Sequence, residues 1–180
     1  MYRVDSAGWL QPARHFSSPN FNQRPAGIAI ELLVIHSISL PPGEFGGGFV
    51  AALFTNTLDC SAHPAFADLR DLRVSAHFLV ERDGAISQFV STLERAWHAG
   101  ISNYRGRSNC NDFSVGIELE GVDDLPYTDA QYHHLAALVR ALRERYPLLA
   151  DNMAGHSDIA PGRKTDPGPA FDWQRLRLAL

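Results

Sequence analysis

The stretch GHSDIAPGRKTDPG, residues 155–168, combines a histidine, a lysine and an aspartate with several glycines and prolines. Pro161 and Pro167 prevent a regular helix from running through it, and its residues do not alternate as they would in a strand. A polar surface loop is one explanation, because glycine, proline and aspartate are ordinary turn residues. The other explanation is that the loop brings metal ligands and a cation to an active site.

A third candidate ligand, His36, lies near the end of IAIELLVIHSI, residues 28–38, an almost wholly apolar segment. A histidine at this place is either a hydrogen-bonded core residue or a ligand. Together, His36, His156 and Asp166 would supply two imidazoles and one carboxylate. Three such ligands and an open water position are typical of a hydrolytic zinc site. Their spacing matches no short metal-binding motif, so the set is a hypothesis that needs support from elsewhere in the chain.

The segment FSVGIELEG, residues 113–121, alternates as a strand does, with its apolar residues on one face and Gly116, Glu118 and Glu120 on the other. That second face is either solvated or the floor of a cleft. In a cleft, a carboxylate near a metal is a natural general base, but alternation does not choose between Glu118 and Glu120. Lys164 is either a surface lysine or a fixed cation that could stabilise an oxyanion.

The segment RAWHAG, residues 95–100, places Trp97 beside His98 in a predicted loop. An aromatic residue next to a histidine in a loop suggests contact with a ligand. Packing inside the protein is the alternative, and the sequence leaves both open.

The composition limits the classes of protein to which the chain can belong. Its 180 residues suit one domain. A net charge of −4 does not indicate the basic surface that binds nucleic acid. No apolar run is long enough to span a membrane, and the first residues lack the apolar core of an export signal. We therefore expect a cytoplasmic protein with no nucleic-acid or membrane partner, whose two cysteines are free thiols.

The order of the predicted elements indicates a single α/β domain, residues 28–180, with residues 1–27 as an N-terminal arm packed on it. The run at 28–38 reads as a strand buried on both faces, because it is apolar throughout. The elements predicted after it are a short helix in 49–58, a hairpin in 74–90 around Asp83-Gly84, the strand 113–121, a helix from Thr128 to about Pro147, and a short helix in 172–180.

Five motifs resemble the cytoplasmic 1,6-anhydro-N-acetylmuramyl-L-alanine amidases of the AmpD type, which are related to the peptidoglycan recognition proteins. They are VIHSISLPPGEFGGGFV, LRVSAHFLVERDG, AWHAGISNYRGR, CNDFSVGIELEG and GHSDIAPGRKTDPGPAFDW, in family order from about Gly8 to the C-terminus. The resemblance implies a central mixed β-sheet flanked by helices.

The resemblance also implies a role for individual residues. It makes His36, His156 and Asp166 the ligands of a Zn²⁺ ion, Glu118 the catalytic acid and base, and Lys164 its electrostatic partner. Arg73, Trp97 and His98 are the candidate substrate-binding residues. Ser37 and Asn109 depart from the family pattern, in which Asn often follows the first histidine and Arg often precedes the CND motif.

The implied reaction is hydrolysis of the amide bond between the lactyl group of N-acetylmuramic acid and L-alanine, on a small-molecule muropeptide, by a monomer. In recycling of wall fragments, this activity would limit induction of a β-lactamase. We expect the loop around Trp97 and the GEFGGG stretch after His36 to border the cleft. The alternatives are a non-catalytic muropeptide-binding module and an amidase that acts on intact peptidoglycan. The intact ligand set argues against the first, and the missing export signal and wall-binding domain argue against the second.

Overall fold

A six-stranded mixed sheet forms the centre of the computed structural model, which describes residues 1–180. The strands of the chain are β1 (Arg3–Val4), β2 (Leu10–Gln11), β3 (Arg14–His15), β4 (Phe21–Gln23), β5 (Leu32–Ile38), β6 (Phe78–Val80), β7 (Ile86–Gln88), β8 (Glu94–Ala96), β9 (Asn103–Tyr104), β10 (Arg107–Ser108), β11 (Ser114–Glu120) and β12 (Met153–Gly155). The central sheet has the order β12-β5-β11-β6-β7-β3, and only its β6–β7 pair is antiparallel.

The apolar run at 28–38 forms β5, which lies between two parallel neighbours as its composition predicts. It begins at Leu32, four residues later than the apolar run. Leu33 and Ile35 pack into the main core, whereas Leu32 and Val34 face the opposite side of the sheet and pack in a smaller cluster. Because side chains alternate along a strand, His36 also lies on that opposite side.

Strand β11 is buried along its whole length. The main core covers the face that includes Val115, Ile117 and Leu119. The other face, with Glu118 and Glu120, is also shielded from solvent. Glu118 is 8% exposed and Glu120 is 5% exposed. The hypothesis of a solvated strand face is therefore wrong, because the loops that follow the parallel strands cover it.

Four α-helices accompany the sheet, and they are α1 (Phe49–Phe54), α2 (Asp129–Arg145), α3 (His156–Ile159) and α4 (Trp173–Leu178). Short 3₁₀ turns lie at Pro64–Leu69, Cys110–Asp112 and Pro147–Leu149. The predicted capping box at the start of α2 is present, with Thr128 and Gln131 each accepting the other's backbone N–H. No helix is both long and apolar enough to cross a bilayer.

The first 27 residues form β1 to β4 and share in the core. Val4 and Leu10 belong to the main apolar cluster, and β3 is an edge strand of the central sheet. The guanidinium of Arg24 donates to the backbone carbonyls of Asn111 and Ser114 at 3.0 and 2.8 Å. Burial lowers the pKa of Arg24 to about 10, which leaves it charged at neutral pH. The N-terminal segment thus fastens the turn that precedes β11.

Candidate active site

Parallel strand pairing brings the predicted site residues to one edge of the sheet. His36 in β5 is paired with Glu118 in β11, and side chains at paired positions lie on the same face. On the other side of β5, Gly155 of β12 is paired with Ile35, and His156 follows Gly155 directly. The carboxyl ends of three neighbouring strands therefore present two histidines and a glutamate together, where ligand sites of parallel sheets usually lie.

The irregular loop after α3 returns Asp166 to these histidines. The backbone N–H of Ser157 donates to the carbonyl of Asp166 at 2.9 Å, and the hydroxyl of Tyr127 donates to the carbonyl of Pro167 at 2.8 Å. The backbone N–H of Ser37 approaches Asp166 Oδ2 at 3.4 Å. The loop is therefore fixed at both ends, which suits it to hold a ligand rather than to be a simple surface connection.

Three ligand atoms converge on one point. The Nδ1 atoms of His36 and His156 are 3.0 Å apart, and Asp166 Oδ2 lies 3.3 Å from the first and 3.1 Å from the second. Tetrahedral zinc with bonds of about 2.0–2.1 Å requires ligand atoms about 3.3 Å apart. The three atoms would have to separate by only a few tenths of an ångström, so the residues present fit a zinc ion.

Protonation favours metal binding at this cluster. Burial lowers the pKa of His36 to about 4, so its imidazole is neutral at neutral pH. Burial alone would raise the pKa of Asp166, but hydrogen bonds from His156 and His36 outweigh it and hold that pKa well below its ordinary value. A neutral imidazole and an ionised carboxylate are the forms in which these side chains bind metals.

Glu118 lies beside the ligand cluster, and one of its carboxylate oxygens makes no hydrogen bond. Its Oε2 atom is buried and has no hydrogen-bond partner. Burial raises the pKa of Glu118 well above its usual value, and the negative charge of Asp166 raises it further, while Lys164 opposes both. Glu118, Lys164 and Asp166 line the same cavity of about 510 Å³, in which Lys164 is exposed.

Glu120 has a different environment from Glu118. Its Oε1 atom accepts the backbone N–H of Gly46 at 2.5 Å, and its Oε2 atom accepts that of Arg82 at 3.1 Å. Glu120 thus holds the GEFGGG stretch at Gly46, and Gly46, Gly47 and Gly48 line a separate cavity of about 450 Å³ together with Glu120. The expectation that this stretch borders the cleft of Glu118 is therefore wrong.

The comparisons with known proteins agree with this arrangement. A family described as N-acetylmuramoyl-L-alanine amidase matches residues 12–169. The chain belongs to that family. It is 62% identical to the 1,6-anhydro-N-acetylmuramyl-L-alanine amidase AmpD of Escherichia coli (strain K12), over 96% of this chain and 94% of the relative. The predicted AmpD-type resemblance is confirmed, and the chain is an N-acetylmuramoyl-L-alanine amidase.

Solved structures of the amidase family confirm the predicted fold class. A crystal structure of a selenomethionine AmpD derivative matches with a TM-score of 0.95 and 59% identity, over 97% of this chain and 98% of that one. The AmiD amidase from E. coli, in complex with the substrate anhydro-N-acetylmuramic acid-L-Ala-D-γ-Glu-L-Lys, matches with a TM-score of 0.62 and 33% identity. That match covers 98% of this chain and 65% of AmiD.

All three predicted substrate-binding residues of this amidase line the cavity, in different ways. Arg73 is exposed, and one nitrogen of its guanidinium donates hydrogen bonds to the backbone carbonyls of Arg70 and Leu72. The indole N–H of Trp97 donates to Asn22 at 2.7 Å, which leaves its ring for contact. His98 is only 8% exposed. A contact of these residues with substrate stays a prediction.

The two departures from the family pattern have different locations. Ser37 borders the cavity, so a change of side chain there alters its wall. Asn109 is exposed, is not among the residues that line the cavity, and has a φ of 60° in the left-handed region. Asparagine tolerates this conformation better than most residues do.

The sequence analysis missed Arg163 and Asn111, which also line the cavity. Arg163 donates to the carbonyls of Ala99 and Ile101 at 2.6 and 2.8 Å, and so ties the ligand loop to residues 99–101. Arg163 precedes Lys164 in the GRK sequence, and this second cation was a signal that could have indicated it. Asn111 lies in the CND motif of the resemblance, but its role was not predicted because it depends on contacts between distant segments.

Replacement of Glu118 by Gln should stabilise the metal-free amidase at neutral pH. The folded state raises the pKa of Glu118 and therefore retains a proton that the unfolded state releases. Stability consequently falls as pH rises above the unfolded pKa and stays lower above the folded pKa, whereas a neutral amide shows no such loss. Thermal unfolding of chelator-treated protein from about pH 4 to about pH 8 should show a Tm gain for Glu118→Gln that grows with pH.

Glu120→Gln is the matched control for this measurement. It replaces a carboxylate whose two oxygens both accept backbone N–H groups by an amide with a single acceptor oxygen, so we expect a lower Tm. A Tm for Glu118→Gln that is below wild type at neutral pH would contradict the assignment of an unpaired, buried carboxylate.

Proposed function

We propose that this amidase uses Zn²⁺ to hydrolyse the amide bond between the lactyl group of 1,6-anhydro-N-acetylmuramic acid and the L-alanine of the stem peptide. The observation that carries the proposal is the convergence of His36, His156 and Asp166 beside the unpaired carboxylate of Glu118. By its resemblance to the AmpD-type enzymes, the chain acts in the cytoplasm on wall fragments that are being recycled. Loss of its activity would then let muropeptides accumulate and derepress an inducible β-lactamase.

The choice of substrate rests on the relatives and on the cavity. Relatives that are 62% identical to this chain are named for the anhydro-muramyl-alanine bond, and AmiD has been solved with an anhydro-muramyl peptide. A cavity of about 510 Å³ lies in the range of small-molecule sites. Its apolar wall, with Leu40, Leu69 and Leu72, would bury the non-polar parts of a muropeptide, and the cation of Arg73 would attract its carboxylates.

The metal would supply Lewis-acid chemistry, polarising the scissile carbonyl and making a water molecule more acidic. Glu118 accepts a proton from the attacking water, and its raised pKa makes it a stronger base than an ordinary carboxylate. The same proton then passes from Glu118 to the nitrogen of the departing alanine. Lys164 lines the cavity with Glu118, and its ammonium stabilises the negative charge that develops on the carbonyl oxygen.

We expect about one zinc ion per chain and loss of turnover on chelation. Asp166→Ala should lose the metal together with the activity, because alanine supplies no anionic ligand. Metal analysis and hydrolysis of an anhydro-muramyl peptide measure both effects. Asp151→Ala is the control, since its side chain is fully exposed and should leave zinc content unchanged. Full turnover in metal-stripped protein would refute the zinc mechanism.

Glu118→Gln should keep zinc and lose about 10²- to 10⁴-fold in kcat, the usual contribution of a general acid or base. Glu120→Gln should keep much more activity, because Glu120 holds backbone groups and lines another cavity. The two variants are compared for kcat and for zinc content under the same conditions. Equal losses of kcat would show that Glu118 has no special role.

Substrate preference tests the proposed place in recycling. A cytoplasmic amidase that cut UDP-linked muropeptide precursors would destroy the cell's own supply, so it must prefer the anhydro sugar. We expect the cavity wall around Trp97 to exclude the bulky UDP group. Hydrolysis of anhydro-muramyl tripeptide and UDP-muramyl pentapeptide is compared at equal concentration. A preference below about tenfold, ~1.4 kcal/mol in transition-state binding, would count against recycling.

A further inference from the structure

Two consecutive residues meet the outer nitrogens of both histidine ligands. The Nδ1 atoms of His36 and His156 face the ligand cluster, so each ring presents Nε2 on its far side. His36 Nε2 lies 2.9 Å from His98 Nδ1, and His156 Nε2 lies 3.3 Å from the carbonyl oxygen of Ala99. A carbonyl only accepts hydrogen bonds. A proton on His156 Nε2 makes this contact a hydrogen bond and leaves the Nδ1 lone pair free for a metal. The guanidinium of Arg163 also donates to this carbonyl at 2.6 Å and lies 3.4 Å from His156 Nε2.

The ring of His98 is held in a fixed position. Its Nε2 atom lies 3.1 Å from Ser114 Oγ, and the ring packs against β11 at Gly116. A Cβ on residue 116 would lie 2.4 Å from His98 Cγ, so only glycine allows this approach. If His98 donates to Ser114 through Nε2, its Nδ1 is left as an acceptor for His36.

The side chain of Asn111 holds the backbone of this pair. Its Oδ1 atom accepts the N–H of His98 at 3.2 Å and the N–H of Ala99 at 2.8 Å. The backbone carbonyl of Asn111 in turn accepts from Arg24 at 3.0 Å. His98 and Ala99 are therefore fixed relative to the sheet by a residue that does not itself touch the ligand cluster.

We propose that His98 and Ala99 form an acceptor pair that orients both histidine ligands with Nδ1 towards the metal, and that Asn111 positions this pair. The inference deepens the proposed zinc function and rests on it. It makes His98 a positioning residue, in addition to any contact with substrate. Outer partners of this kind typically change metal affinity by about 10- to 100-fold when they are removed.

The test measures zinc affinity by competition with a chelator in four variants of the full chain. His98→Leu removes the acceptor, whereas His98→Asn places an amide oxygen near the position of Nδ1. Asn111→Leu removes the two backbone contacts, whereas Asn111→Asp keeps an acceptor for both. We expect about 10- to 100-fold weaker zinc binding in each leucine variant and recovery of most of that loss in its polar counterpart. Circular dichroism verifies that each variant is folded.

A second measurement needs no substitution. In zinc-loaded wild-type protein labelled with ¹⁵N-histidine, NMR should show the protons of His36, His156 and His98 on Nε2. A proton on Nδ1 of His98 would overturn the inference, as would zinc affinity in folded His98→Leu and Asn111→Leu equal to wild type. Failure of the wild type itself to bind zinc would instead refute the proposed function. The two proposals therefore fail in different ways.

Discussion

The parallel register of β5 with its two neighbours is the constraint on which the site depends. This register pairs His36 with Glu118 and places His156 one residue beyond the pairing of Gly155 with Ile35. A slip of one residue would turn a whole set of side chains to the other face of the sheet. The apolar residues of β5 and β11 in the main core oppose such a slip, because it would turn His36, Glu118 and Glu120 into that core in their place. The hydrophobic pattern that builds the core therefore also fixes the geometry of the catalytic groups.

The site concentrates polar groups where the protein is otherwise apolar, and their burial opposes folding. The neutral imidazole of His36 and the contacts of Asp166 with both histidine ligands limit this cost at the ligand cluster. Glu118 has no such compensation for its Oε2 atom. The surrounding structure must therefore tolerate an unfavourable carboxylate, and the three apolar clusters of the fold supply the stability that permits it. Conflicts of this kind are expected at functional sites.

Local patterns in the sequence predicted much of the fold. The apolar run of β5, the Asp83-Gly84 hairpin and the capping box of α2 depend on residues close together in the chain, and each is present in the structure. The α/β class and the amidase family are likewise confirmed. The proposed roles of His36, His156, Asp166, Glu118 and Lys164 remain predictions, although the structure brings all five to one cavity or its floor.

Contacts between distant segments account for what the sequence did not predict. The distance from the GEFGGG stretch to the cleft depends on Glu120, which lies 74 residues away from Gly46. The link between Asn111 and residues 98–99, and the insertion of Arg24 below the turn at 110–112, depend on tertiary packing in the same way. Periodicity and turn signals contain no information on such pairings.

Glu118 and Glu120 show how the environment assigns chemistry to identical side chains. They are on the same face of the same strand, and their burial differs little, at 8% and 5% exposure. Burial therefore does not separate them. Hydrogen bonding does, because two backbone N–H groups occupy both oxygens of the Glu120 carboxylate, whereas Glu118 keeps an oxygen without a hydrogen-bond partner beside the ligand cluster. A group that is to accept and return a proton must not have its oxygens fully occupied by the fold, and on this strand only Glu118 meets that condition.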